Sequence, residues 1–235
     1  MTCAEIMQQL EDMGTETTKR TFLNHGAKEP FFGVKVGDLK TIQKRIKKNH
    51  ELSLALYRTG NSDAQYLAGL IADEKKITKA ELQEWAETAS WYMQSEYSVP
   101  WIAAESAYGY ELALEWIAAK DTQLQAAGWA TLSSLVAIKK DDELDIPNLQ
   151  KLLERVSSTI HQAPNRVRYL MNGYVIAVGC YVKSLSEEAL KVGKAIGTVN
   201  VDMNGTACKV PSAPEYIEKV IAKGKVGTKK KMARC

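Results

Sequence analysis

The sequence predicts an all-α protein built as a stack of antiparallel helix pairs, an α-solenoid. Three observations lead there. Apolar residues recur at helical spacing along most of the 235 residues, and no segment sustains strand alternation. The periodic segments run for roughly 10–15 residues between short polar breaks, the proportions of a stacked array. Three tryptophans, Trp101, Trp116 and Trp129, stand 15 and 13 residues apart in an alanine-rich background. One large aromatic beside small residues in each segment suits helices packed closely on their neighbours.

The elements follow in order. Residues 3–13 carry Ile6, Leu10 and Met13 on one stripe. Residues 31–38 (FFGVKVGD) form a turn-rich lead into a helix, with Asp38 placed to cap it. Leu39, Ile42 and Ile46 make that helix's apolar stripe, and Lys40, Lys44, Lys47 and Lys48 lie on or beside its polar face. Helices are expected at 51–58, 62–73, 78–93, 100–107, 110–119 and 122–138, the last two joined as an αα-hairpin across Lys120, Asp121 and Thr122. Another begins after Pro147 and runs to about Ser158. Residues 165–182 read as a buried helix in which Gly173 and Gly179 allow close backbone approach. Ser186, Glu187 and Glu188 start a helix that reaches about Ile196. A loop occupies 199–211, and Pro214 suits the first turn of a short helix at 214–222. Residues 1–223 are expected to form a single domain, and 224–235 a basic, mobile tail.

Composition narrows the function classes. Apolar residues make up 45% and charged residues 25%, ordinary for a globular protein. No stretch approaches the roughly 20 apolar residues of a membrane span. The first residues, MTCAEIMQQLEDMG, lack the basic start and apolar core of a secretory signal, so a cytoplasmic location is expected. Cys3, Cys180, Cys208 and Cys235 show no CxxC spacing and are expected to be free thiols. His25, His50 and His161 are remote from them in sequence, and neither a metal nor a cofactor is expected.

Net charge is only +3, but it is unevenly placed. Lys35 to Lys48 holds six basic residues against one acid, and Lys219 to the end holds seven and no acid. Either run alone reads as a solvated surface. Together they point to an anionic polymer such as nucleic acid.

Standard catalytic motifs are absent: there is no GxGxxG, P-loop, HExxH or GxSxG. A Cys180–His161 nucleophile pair is conceivable, but Cys180 stands in an apolar run that favours an inert thiol. Glu96 and Glu105 are weak candidates for catalytic carboxylates. The segment Trp91–Trp101 is rich in aromatics, and Pro100 in a first helical turn would set Tyr97 and Trp101 beside a helix N-terminus. Such an end attracts phosphate, and the rings could stack on bases.

The segments FFGVKVGDLKTIQKRIKK and AQYLAGLIADE resemble the N-terminal part of DNA alkylation repair proteins of the AlkD type. The likeness extends from about Phe22 to Tyr181. It implies a curved superhelical stack of HEAT-like repeats, and DNA as the partner along a basic concave surface. Active members excise N3- and N7-alkylated purines, using aromatics, an aspartate and an arginine. This chain departs from that set. The family's Trp-Asp-x-x-Asp segment falls on Tyr97 to Trp101, so Trp101 stands in the place of the functional Asp. The Trp-x-Arg-Arg segment falls on Trp129 to Leu132 without either arginine, and Gly-Trp becomes Gly173-Tyr174. Tyr97, Trp101 and Tyr174 are thus the lesion-site-equivalent aromatics.

The leading expectation is a protein that binds duplex, damaged or branched DNA through its backbone, without standard alkylpurine excision. Its expected phosphate contacts are Lys35, Lys40, Lys44, Lys47, Arg166, Arg168, Lys209, Lys229, Lys230 and Lys231. One alternative is a glycosylase that uses Glu96 or Glu105 as a displaced carboxylate. Another is a helical scaffold for a protein partner.

Overall fold

The computed structural model describes residues 1–234; Cys235 and its expected free thiol lie outside the described residues. Among the described residues are thirteen α-helices and no strand. They are α1 (Cys3–Met13), α2 (Glu16–Asn24), α3 (Val36–Ile46), α4 (His50–Tyr57), α5 (Ser62–Ile71), α6 (Lys79–Glu87), α7 (Val99–Glu105), α8 (Gly109–Ile117), α9 (Thr122–Ile138), α10 (Ile146–Thr159), α11 (Asn165–Tyr181), α12 (Ser186–Ile196) and α13 (Ala213–Ala222). An inner row, α3, α5, α7, α9, α11 and α13, packs side by side in chain order, and α4, α6, α8, α10 and α12 cover it from outside. Trp85, Trp116 and Trp129 fill the space between the rows with at most 1% of their surface exposed. Trp116 donates its indole N–H to Gln83 Oε1 at 2.7 Å, which satisfies the polar edge of a buried ring.

The FFGV segment is held by one carboxylate. Asp63, 2% exposed near the start of α5, accepts the backbone N–H groups of Phe32, Gly33 and Val34 at 2.6, 3.0 and 3.1 Å. Burial pushes its carboxyl above the ordinary value, against the three N–H groups that favour the ionised form. This bracket fixes the chain just before α3 and so sets where the first basic run projects.

Several expectations change here. Helix α3 starts earlier than the sequence suggested, with Lys35 as its cap residue and no side-chain cap bond. Asp38 lies within the first turn, where its charge still favours the helix dipole. The expected helix at 78–93 stops at Glu87, because Ser90 and Trp91 turn aside to bond Gln65 Oε1 and the His25 carbonyl. Pro100 does not open a helix. Gln94–Ser98 is one widened π turn running directly into α7, with helical backbone on both sides. A proline lacks an N–H and crowds the carbonyl four residues back, here Glu96, and the widened turn relieves both conflicts. No helix N-terminus therefore stands beside Tyr97 and Trp101. Gly179 does permit close approach, since a Cβ there would lie 2.5 Å from Ile217, but a Cβ on Gly173 would meet no atom within 4 Å.

The expected mobile tail is instead a strap along one edge of the inner row. Gly227 N–H donates to Cys180 O at the end of α11 (2.9 Å), and Lys230 N–H to Ala137 O at the end of α9 (2.8 Å). Lys229 Nζ donates to Val136 O at 2.9 Å, and Ala233 N–H to Glu105 Oε1, the last residue of α7, at 2.7 Å. Arg234 reaches Ala72 O at the end of α5 at 3.0 Å and pairs with Glu74 and Glu105 at 2.7 and 2.6 Å. The ends of α5, α7, α9 and α11 leave carbonyls unpaired and carry partial negative charge, so a basic segment with spare N–H groups docks there.

Candidate nucleic-acid interface

Three depressions follow one another along the inner row. The largest, about 700 Å³, lies between the end of α3 and the strap, and is lined by Lys44, Lys47, Lys48, Lys139, Lys231 and Arg234 together with Glu74, Glu105 and Glu143. Arg234 is spent on Glu74 and Glu105, Lys48 pairs with Glu74 at 2.5 Å, and Lys139 lies 3.7 Å from Glu143. Lys44, Lys47 and Lys231 are exposed and make no ion pair among the described residues. Burial alone would raise Glu74, but its bonds from Lys48 and Arg234 outweigh it and hold the carboxyl below the ordinary value.

The second depression, about 280 Å³, crosses the inner faces of α7, α9 and α11 from Tyr97 and Trp101 past Ser133, Ser134 and Gly173 to Cys180 and Lys230. Trp101 is 6% exposed and packs edge-on against Tyr66 and Tyr97, with ring centres 6.0 and 5.7 Å away. It offers the groove an edge and no charge. Tyr174 is not in the groove: it is fully buried, packs on Trp129 and donates its hydroxyl to Leu149 O at 3.0 Å. Gly173, its neighbour, is the residue that reaches the surface.

The third, about 300 Å³, lies at the other end of α11 and is lined by His25, Tyr92, Tyr97, Arg166, Tyr169, Met203, Asn204, Cys208 and Lys209. Tyr97 is shared with the second.

The expected site residues divide accordingly. Lys35 is exposed and Lys40 half-buried, both on or beside α3 and without an acidic partner among the described residues. Lys209 is exposed at the rim of the third cavity, and Lys230, also exposed, sets its ammonium 5.6 Å from the Tyr181 ring. Five of the expected residues are already engaged. Arg166 and Glu96 form a two-pronged pair, with Nε–Oε1 at 2.7 Å and a close Nη2–Oε2 contact. Burial raises the Glu96 carboxyl, opposed by Arg166. Arg168 donates to Ala163 O and Asn200 O, bracing the loop before α11 against the loop after α12. Lys229 is bound to Asp141 at 2.8 Å as well as to Val136 O. Glu105 anchors the strap. Both carboxylates are thus paired with arginines, and Arg166, Arg168 and Lys229 already donate to protein acceptors. The Cys180–His161 pair also dissolves: burial pushes the Cys180 thiol up to about 11, and His161 Nε2 bonds Ile196 O at 2.9 Å.

Sequence reasoning passed over Lys139, Tyr169 and the groove-facing role of Gly173. Lys139 and Lys140 are offset at once by Asp141, Asp142 and Glu143, so they make no basic run, and only its place at the end of a long helix marks Lys139.

A family model for DNA alkylation repair enzymes matches residues 6–217. The chain belongs to that family. It is 33% identical over 225 residues to an uncharacterized protein of Listeria monocytogenes serovar 1/2a, covering 93% of this chain and 97% of the relative. An uncharacterized protein of Listeria innocua serovar 6a is 32% identical over the same shares. A solved structure matches over 100% of both chains, with a TM-score of 0.90 and 37% identity. It is described as one of a new family of proteins related to the HEAT-like repeat DNA glycosylases, with affinity for branched DNA structures. The fold is accordingly that of the HEAT-like repeat DNA glycosylases, and the solenoid expected from the sequence stands.

Proposed function

We propose that this protein binds DNA through its phosphate backbone, with branched DNA preferred, and does not excise alkylated bases. One observation carries the reading. Two basic runs separated by most of the chain converge on one recess, where Lys44, Lys47 and Lys231 remain unpaired among the described residues. Docking of the strap accounts for Arg234 but not for the three unpaired lysines that share the recess, which a polyanion would neutralise. The likeness to a protein with affinity for branched DNA supports the preference. Against excision stand Trp101 at the family's Asp position and the engagement of Glu96 and Glu105 by arginines.

The test is a salt titration of affinity for a four-way junction and for a linear duplex of equal length. If Lys35, Lys40, Lys44, Lys47 and Lys231 each neutralise one phosphate, log K falls against log salt with a slope of roughly −4.5. Tighter binding to the junction is expected. Salt-insensitive affinity, or no binding to either DNA, overturns the reading. Release of methylated purine in a single turnover with excess protein would restore the glycosylase alternative.

A further inference from the structure

The third cavity is built unlike the basic recess. Its walls are three tyrosines, Tyr92, Tyr97 and Tyr169, and its one guanidinium is already neutralised. Arg166 lies between the Tyr92 and Tyr169 rings, at 4.9 and 4.7 Å from their centres, while Glu96, 5% exposed, holds it from behind. The sandwich fixes both rings, so little side-chain freedom is left to lose when a ligand enters. None of the three phenol hydroxyls is hydrogen-bonded by another group among the described residues, unlike those of Tyr57, Tyr110 and Tyr174. Burial, the main cause, raises all three above the ordinary phenol value, so they stay neutral and can both donate and accept.

A planar heteroaromatic ring with polar edges fits such walls; a bare phosphate does not, because the guanidinium charge is spent. The volume of about 300 Å³ is at the small end of ligand pockets. One cation, Lys209, stands at the rim. Tyr97 joins this cavity to the groove over α7, α9 and α11, which continues to the strap and the basic recess.

We propose that the tyrosine cavity seats one unpaired nucleobase of bound DNA, stacked on its rings, with Lys209 on the adjoining phosphate. The inference rests on the DNA-binding reading and adds a second point of contact. It gives branched DNA a physical advantage, since a base at a branch point is already partly unstacked and costs least to extrude.

The experiment uses the full chain and a three-way junction carrying a single unpaired 2-aminopurine at the branch, with a fully paired duplex as control. Stacking on the tyrosines is expected to quench the 2-aminopurine emission on saturation. Tyr169→Ala should restore emission and weaken junction binding roughly 5-fold or more, the lower end of what one stacked base contributes, while duplex affinity stays within about 2-fold. Cys208→Leu, an exposed position at the cavity, crowds the opening while keeping Arg166 and all three tyrosines, and should give the same loss if Tyr169→Ala does not fold. Normal junction binding with unchanged emission overturns this inference and leaves the DNA reading intact. Absence of binding to any DNA overturns both.

Discussion

The two basic runs have similar composition and opposite fates. The first, on α3, is held at its start by Asp63 and leaves Lys44 and Lys47 in solvent without acidic partners among the described residues. The second starts on α13 at Lys219 and continues into the strap from Gly227, where Lys229 and Arg234 are consumed by carboxylates and helix-end carbonyls, with Lys231 left facing the recess. The difference teaches that a run of lysines and arginines measures nothing about ligand binding until its local partners are counted. Acidic residues distant in sequence, Glu74, Glu105 and Asp141, decide the matter.

The sharpest way to break this contrast is Arg234→Ala. It removes the guanidinium from Glu105 and one of the two cations from Glu74, which keeps Lys48, so a stability loss of about 2 kcal/mol is expected in denaturant unfolding. DNA affinity should fall with it, because Lys231 loses its position. A variant as stable as the parent would mean that the strap is not structural. Next in size is the double change Lys44→Ala with Lys47→Ala. Junction affinity should drop at least roughly tenfold and the salt slope should shrink by about 2, with unfolding stability changed by less than about 0.5 kcal/mol.

Acid should erase the strap's contribution gradually. Glu74 is held below its ordinary value in the folded protein, so its stabilisation is complete above that ordinary value and is lost as pH falls through the lowered one. The gap in thermal midpoint between the parent and Arg234→Ala should therefore stay constant near neutrality and narrow in acid. A gap that widened in acid would contradict the assignment. The smallest effect is expected for Lys229→Met, a loss of about 1 kcal/mol with the salt slope unchanged. A slope reduced by one unit would instead make Lys229 a phosphate contact.

Much of the fold was legible because burial leaves a periodic trace. Helices α9, α11 and α12 fall within a residue of the expected bounds, each with a continuous apolar face. Helix α2 went unseen because Thr18 is its sole buried residue; its trace was the cap Thr15 just before Glu16. The π turn was hidden because Pro100 suits both a first helical turn and a widened one, and tertiary packing chose the second. The site was less legible. The role proposed for Lys44, Lys47 and Lys231 can be read from local charge, but the engagement of Glu96, Glu105, Arg166 and Lys229 depends on partners 70 or more residues away. Tyr174 was placed in the groove by its register with the family pattern, whereas α11 turns that position inward and presents Gly173.

That glycine gives the groove an experimental handle. Alanine would favour the middle of α11 by up to about 1 kcal/mol, and its methyl would meet nothing within 4 Å. The same open space would accept a cysteine carrying a spin label or fluorophore, reporting from the groove floor while the rest of the stack stays as it is.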